Sequence, residues 1–400
     1  MFNIVINWMI SVEEAKALLA EFEPKLSSQT KAVSDSLGHV LSENVSSPIN
    51  MPPFPQSAMD GYALGGEVLK ANASFKVIGE VAAGSSNKFQ LGNAEAVRIF
   101  TGAPVPESAT AVVQQEWVER DGDSMTITRD VKPNMHIRPE GEQMKSGDVA
   151  LERGTLITPA GVGFLSMLGI TEVVVYFKPK VTVLVTGNEL VKAGNELSYG
   201  QIFESNSTML ISALQKEGIN ATSLNVPDDL SQTIECVSQA LDNNEMLIVT
   251  GGISVGDHDH VGTALNELGV DEVFYKVAQR PGKPIFFGTK GTKAIFALPG
   301  NPAASLSCFY EYVIPAMRKA SGRSDTFLSS IQLPVATGSI RSISRAQFLK
   351  AKVCDNQVSI LDGQSSAMLN SFAHANALVY IPANSGEVTN GTLVETHLMQ

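Results

Sequence analysis

Residues 245–259 read Glu245-Met-Leu-Ile-Val-Thr250-Gly251-Gly252-Ile-Ser254-Val-Gly256-Asp257-His-Asp259. The run from Met246 to Val249 is continuously apolar rather than alternating. Such a run marks a strand buried on both faces, as in a parallel sheet covered by helices. It leads straight into a glycine-rich polar loop. Glycine reaches positive φ and lets a ligand approach the backbone closely. A following helix would turn unpaired N–H groups and the positive end of its dipole toward an anion. The stretch reads as strand, anion cradle and helix.

The same pattern occurs twice more. Val181-Thr-Val-Leu-Val185 runs into Thr186-Gly187-Asn188-Glu189, and Ala294-Ile-Phe-Ala-Leu298 runs into Pro299-Gly300-Asn301-Pro302-Ala303. Helices are expected over Ser207–Glu217, over Ser231–Leu241 with Ser231 as N-cap, and over Ala303–Lys319. Strands alternating with helices predict a doubly wound α/β domain. Ligands bind such sheets beyond the carboxyl ends of the strands. Turn geometry alone explains one glycine loop; three at one sheet edge point to an anion site.

The flanks differ in character. Ser11-Val-Glu-Glu14 is a capping box that opens a helix over Val12–Glu21, with Val12, Ala15, Leu18 and Leu19 on one apolar stripe. Residues 33–45 read as extended chain with a turn, followed by Pro48, Pro52, Pro53 and Pro55. Short β-runs such as Phe75–Ile78, Ala96–Phe100 and Ala111–Val113 predict a small β module. Pro159–Leu168 looks helical and Thr171–Tyr176 extended. The tail, with Gln357–Leu361 and Ala377–Ile381, reads as a small β-barrel.

The 400 residues carry a net charge of −12, with 44% hydrophobic and 18% charged residues. No long basic run exists, which argues against nucleic acid as a partner class. No apolar run reaches the roughly 18 residues of a membrane span. The N-terminus lacks the basic start of a signal peptide, so a cytoplasmic location is expected, and Met9 is an alternative start. Cys236, Cys308 and Cys354 are scattered without metal-ligand spacing and are expected to be reduced, buried thiols.

An acidic protein that binds an anion must concentrate positive charge locally. Arg280-Pro281-Gly282-Lys283-Pro284 sets two cations in a short, proline-stiffened loop, suited to clamping an oxyanion. A surface turn is the competing reading. Asp257 and Asp259 suit Mg²⁺, which bridges carboxylates to phosphates; Asp257 could instead cap a helix. His258 and His260 have no further ligand nearby and read as packed or solvated. Pro52-Pro-Phe-Pro-Gln-Ser57-Ala-Met-Asp60-Gly61-Tyr62 is a rigid loop presenting Asp60, and Phe100-Thr101-Gly102 places Thr101 after a strand.

These blocks together resemble the MoeA-type molybdopterin molybdenumtransferases, which act in molybdenum cofactor assembly. The resemblance rests on Ser57–Ala63, Ile99–Pro106, Arg138-Pro-Glu-Gly-Glu142, Thr186–Leu190, Glu204-Ser205-Asn206, Gly251–Gly256, Pro281–Pro284 and Leu298–Pro302, in family order along essentially the whole chain. It implies a four-domain homodimer: residues 1–47 with 145–178 as a discontinuous linking domain, 48–144 as the β domain, 179–326 as the α/β domain and 327–400 as the barrel. It implies adenylylated molybdopterin and molybdate as substrates, Mg²⁺, release of AMP, and contact with other proteins of that pathway.

By the same resemblance, Thr250, Gly251, Gly252, Ser254 and Gly256 cradle the nucleotide end, with Thr186, Gly187, Asn188, Ser205 and Asn206 nearby. Pro299, Gly300, Asn301 and Pro302 form the opposite wall, and Glu189 is a polar anchor. Arg280, Pro281, Gly282 and Lys283 neutralise phosphate or molybdate. Asp257, Asp259 and Asp228 are the implied metal ligands. Asp60, Thr101 and Arg138 come across the dimer interface.

Three positions depart from the family pattern. Gln143 and Asn188 stand where it usually has aspartate, and Glu204 where it often has aspartate. An amide keeps the shape but loses charge and basicity. The competing readings are a non-catalytic or weakly active paralogue that binds molybdopterin, and a molybdopterin adenylyltransferase. The second would need only about 150–180 residues.

Overall fold

The computed structural model describes residues 9–253 and 260–399. Ser254, Gly256, Asp257 and Asp259, and with them part of the nucleotide cradle and two expected metal ligands, lie outside the described residues.

Residues 181–320 form the α/β unit. In chain order it contains β1 (Val181–Thr186), α1 (Asn206–Lys216), β2 (Ala221–Val226), α2 (Leu230–Asn243), β3 (Met246–Thr250), α3 (His260–Glu267), β4 (Asp271–Tyr275), β5 (Phe286–Lys290) and β6 (Lys293–Leu298). A long final helix runs from Pro302 to Ala320, with a π turn over Phe309–Val313. The sheet order is β2-β1-β3-β6-β5-β4. β2, β1, β3 and β6 run parallel, and β5 is antiparallel to both neighbours.

The continuous apolar runs have a simple cause. Val181, Val183 and Val185 of β1 face a core shared with Leu210 and Leu214 of α1 and with Phe309 and Val313 of the final helix. Leu184 points the other way, into a core with Val237 and Leu241 of α2 and Val261 and Leu265 of α3. Every β1 and β3 residue is buried. Each such aliphatic side chain contributes about 1.5–3 kcal/mol by leaving water.

The three strands expected from sequence are present, and three more join them. β2 and β4 lie at the sheet edges and are largely exposed, so neither shows an apolar run. β5 is interrupted by Gly288, where a Cβ would sit 2.7 Å from the Phe286 ring. The N-cap of helix α2 lies two residues earlier than expected. It is Asp229, whose carboxylate accepts the Gln232 N–H at 2.8 Å, so Ser231 is not the cap.

Register sets the strand ends level. Val185 of β1 pairs with Thr250 of β3, and Thr250 pairs with Leu298 of β6. The chain leaves β1 toward β2 on one side and crosses back to β3 on the other. The crevice at this reversal, between β1 and β3, is where doubly wound sheets bind ligands.

The other units frame this sheet. The β module is a six-stranded sheet ordered 109–114, 61–65, 95–99, 74–81, 124–127, 118–121. Strand 28–32 pairs with 172–176, and Leu165 of the helix Pro159–Met167 shares a core with Val173 and Val175. The tail closes into a five-stranded barrel of strands 346–354, 357–360, 330–337, 393–398 and 377–381. Ser11 and Glu14 form the expected capping box, and Val12, Ala15 and Leu19 pack into the α/β core. The cysteines correct the sequence reading: all are free, but only Cys308 is buried, Cys354 being exposed and Cys236 half-buried. Among the described residues no helix is long and apolar enough to cross a membrane.

Candidate functional site

The three loops beyond β1, β3 and β6 meet at one point, and Asn206 joins two of them. Its Nδ2 donates to Thr250 Oγ1 and to the Gly300 carbonyl, each at 2.8 Å. One buried amide at the start of α1 thus ties the end of β3 to the loop after β6. The start of α1 is itself fixed by Glu204, whose carboxylate accepts Ser207 N–H at 2.8 Å and Ser207 Oγ–H at 2.5 Å.

The glycines are required by how closely the loops approach. Gly251 and Gly252 have φ of +88° and +64°. A Cβ at Gly251 would lie 2.5 Å from the Thr186 carbonyl oxygen, and one at Gly252 2.7 Å from Thr186 Oγ1. Gly300 comes near from the other side, its Cβ position 3.7 Å from Gly251 Cα. Thr186 Oγ1 and Asn206 Oδ1 are buried and have no hydrogen-bond partner among the described residues. Unpaired buried polar atoms cost about 1–3 kcal/mol each. Two such atoms in one cleft wall leave polar capacity there that a ligand can satisfy.

These loops enclose a cleft of about 860 Å³. Of the expected binding residues, Thr186, Gly187, Glu189, Ser205, Asn206, Asp228, Thr250, Gly251, Gly252, Pro299, Gly300, Asn301 and Pro302 line it. Sequence reading passed over Leu190, Ile202, Phe203 and Ala367, which also line it. Ala367 comes from the barrel, where the neighbouring Ser366 accepts the Asn301 amide at 3.0 Å and receives the Ala304 N–H on its carbonyl. No sequence pattern linked 366–367 to a loop some 65 residues away.

Asn188 is exposed and outside the lining. Its backbone N–H reaches Asp228 Oδ2 and its Oδ1 receives the Asp228 N–H, both at 3.2 Å. The amide therefore fastens the loop after β1 to the loop after β2.

The cleft's charge is unexpected. Its described lining carries Glu189, Glu204 and Asp228 and no lysine or arginine. Arg280 and Lys283 are both exposed, and only Pro284 of their loop reaches the lining. Arg280 and Pro281 instead line a separate 170 Å³ cavity with Arg341, Gln347 and Gln364 at the barrel. The loop is braced from below: Gln279 Nε2 donates to the Pro281 carbonyl at 3.0 Å, and the Tyr312 hydroxyl donates to Gln279 Oε1. A Cβ at Gly282 would stand 2.3 Å from Cys308 Sγ. Burial, with Glu311 nearby, pushes the Cys308 thiol far up, so this cysteine is a neutral packing residue.

The β module brings Asp60 and Thr101 together. Thr101 N–H and Oγ1–H both donate to Asp60 Oδ1 at 2.8 Å. These bonds, backbone first, hold the Asp60 carboxyl below its usual range although it is fully exposed. Arg98, absent from the sequence reading, organises this corner. Its guanidinium lies 5.1 Å from the Tyr62 ring centroid and 5.0 Å from that of Phe100, and donates to the Gly61 carbonyl at 3.0 Å. Arg138 is exposed on a two-residue strand paired with Gln56. Asp60, Thr101 and Arg138 are not among the described residues that line the cleft.

Among the described residues no group of three acidic, histidine or cysteine side chains is placed to hold a metal ion. Asp228 is the one expected metal ligand described, and its Oδ2 already accepts the Asn188 N–H. The described residues do not compose a magnesium site.

Comparison with known proteins accounts for nearly the whole chain. Residues 10–169 match the MoeA N-terminal region (domain I and II), 182–319 a probable molybdopterin binding domain, and 333–399 the MoeA C-terminal region (domain IV). A molybdopterin molybdenumtransferase of Haemophilus influenzae is 33% identical, covering 96% of this chain and 98% of its own. One of Staphylococcus aureus is 31% identical, covering 98% and 96%. The crystal structure of a molybdopterin biosynthesis MoeA protein from Pyrococcus horikoshii superposes with a TM-score of 0.85 at 28% identity, covering 98% of this chain and 100% of that one. With ordered motifs, architecture and full-length identity in agreement, the chain belongs to the MoeA family of molybdopterin molybdenumtransferases.

Proposed function

We propose that this protein inserts molybdate into adenylylated molybdopterin, with hydrolysis of the phosphoanhydride and release of AMP. The observation that carries the reading is the cleft at the β1–β3 reversal, lined by three glycine loops, two of them tied together by Asn206. Its place in the sheet and its close-packed glycines suit a phosphate ester. Its volume falls in the 300–1,000 Å³ range of small-molecule sites.

The protein's contribution is positioning and charge control, since metal insertion asks for little covalent help. Gly251 and Gly252 hold the phosphate end against Thr186. Asn206 keeps the loops in register. Arg280 and Lys283 stand outside the cleft and receive the incoming oxyanion. Three carboxylates with no described cation in the lining would repel an anionic ligand, so the site draws cations from elsewhere. This supports magnesium entering with the substrate phosphates, and a homodimer in which Asp60, Thr101 and Arg138 of the second subunit complete the site.

A second reading has one specific observation behind it. Asn188 is engaged with Asp228, where the family pattern has a carboxylate. A protein so altered could hold molybdopterin without turning it over. The test is to incubate the purified protein with adenylylated molybdopterin, magnesium and molybdate, strip the protein, and measure molybdenum in the pterin fraction. Stoichiometric molybdenum supports the transferase. Retained pterin without molybdenum overturns it, and Asn188→Asp then shows whether the amide is the cause.

A further inference from the structure

The cleft has an apolar lip that an anion does not require. Leu190–Val191 and Ile202–Phe203 form a short parallel pair. It is fastened by Ile202 N–H to the Glu189 carbonyl at 2.9 Å and by Glu204 N–H to the Val191 carbonyl at 2.8 Å. Leu190, Ile202 and Phe203 line the cleft, yet Ile202 is 56% and Phe203 47% exposed. Large apolar side chains left half in water beside a polar cradle mark a surface that a ligand covers.

The lip is also held rigidly. Phe203 directly precedes Glu204, which is locked onto Ser207 at the start of α1. With the backbone beneath it already fixed, only the ring's own torsions remain to be ordered on binding. The opposite wall is glycine, proline and asparagine backbone, which offers close approach but no ring face. A flat, unsaturated ring is the ligand part that gains most from one exposed aromatic face.

We infer that Phe203 is the stacking platform for the planar heterocycle of the ligand. It makes the cleft selective for a phosphate ester bearing a flat ring over one without. The inference rests on reading the cleft as a phosphate-ester site. Ile202 and Leu190 close the ring's edge, while the glycine loops hold its phosphate.

The test is isothermal titration of the full chain with AMP, with a pterin-6-ylmethyl phosphate, and with ribose 5-phosphate as the ring-free probe. Wild type, Phe203→Ala, Phe203→Tyr and Gly252→Ala are compared. Wild type should bind at least one ring-bearing probe about 10-fold more tightly than ribose 5-phosphate. Phe203→Ala should lose that preference, leave ribose 5-phosphate binding unchanged and melt at the wild-type temperature. Phe203→Tyr should retain the preference. Survival of the preference in Phe203→Ala, or equal weakening of all three probes, overturns the inference. Probes that all lose binding in Gly252→Ala, with the ring preference intact in Phe203→Ala, would leave the cleft reading standing and sink only the stacking role. No binding of any probe by wild type sinks both.

Discussion

At the residue scale, Gly252 carries a double constraint. Its φ of +64° strains any side chain, and a Cβ would meet Thr186 Oγ1 at 2.7 Å and Val261 Cγ2 at 2.9 Å. Gly252→Ala should cost about 1–3 kcal/mol of stability and weaken ligand binding at least about 10-fold, checked by thermal melts and titration; wild-type values in both would remove the cradle from the account. Asp60 gives the opposite pattern, because it is exposed and supports no core. Asp60→Ala should abolish turnover with no change in melting temperature. The Asp60 carboxyl is held below its usual range by Thr101. Its pairing with Thr101 therefore persists above the ordinary aspartate pKa and fails only as the pH falls through the lowered one. The glycines and Asp60 were legible in sequence because rare backbone geometry and proline spacing leave marks. Arg98 was not, since an arginine in a β-run looks like any solvated charge until the Tyr62 and Phe100 rings are seen beside its guanidinium.

At the element scale, the final helix links three parts of the fold. Glu311 lies in its π turn, buried, with Lys16 Nζ and His397 Nδ1 each 2.7 Å from one of its oxygens. His397 Nε2 is 3.0 Å from Glu395. The N-terminal helix, the α/β unit and the barrel are thus clasped by one charge cluster. Burial alone would lower the His397 pKa, but the bond to and charge of Glu311 outweigh it and raise it above 6.5. Its stabilising contribution is complete below pH 6.5 and is lost as pH rises through the raised value. Glu311 is likewise opposed by burial, but Lys16 and His397 together hold it below 4.5. Its contribution is present above 4.5 and is lost as pH falls through the lowered value. Melting temperature should therefore decline as the pH rises above 6.5 through the raised value, and His397→Gln should flatten that decline. Glu311→Gln should cost about 3–5 kcal/mol by stranding buried charge, measured by denaturant unfolding; a cost under 1 kcal/mol would dismiss the clasp. Periodicity found the N-terminal helix and its apolar stripe. It could not say that the stripe packs under the α/β sheet, nor that a π turn interrupts the long helix, because both depend on distant partners.

At the scale of the whole molecule, the account asks for two subunits. Cleft and Asp60 corner are separate sets of residues within one chain, and the cleft's described lining is acidic. Sedimentation should give a dimer. Mixing equal amounts of an inactive Asp60→Ala chain and an inactive Gly252→Ala chain should restore up to about a quarter of wild-type turnover, because about half of the dimers are then mixed and each mixed dimer carries one intact composite site. No recovery after subunit exchange would place all the chemistry within one chain. The fold class was legible because buried parallel strands read as unbroken apolar runs, while edge strands β2 and β4 were hidden by their polar exposure. The barrel's share in the cleft was hidden for a different reason: Ser366 and Ala367 reach it by tertiary packing, not by any local pattern. The central claim is that the cleft turns over a molybdopterin nucleotide. Its most direct test is AMP released from adenylylated molybdopterin, followed with and without molybdate. The account predicts AMP release that depends on molybdate in wild type and is lost in Gly252→Ala; AMP release that ignores molybdate, or ligand held with no AMP released, would contradict it.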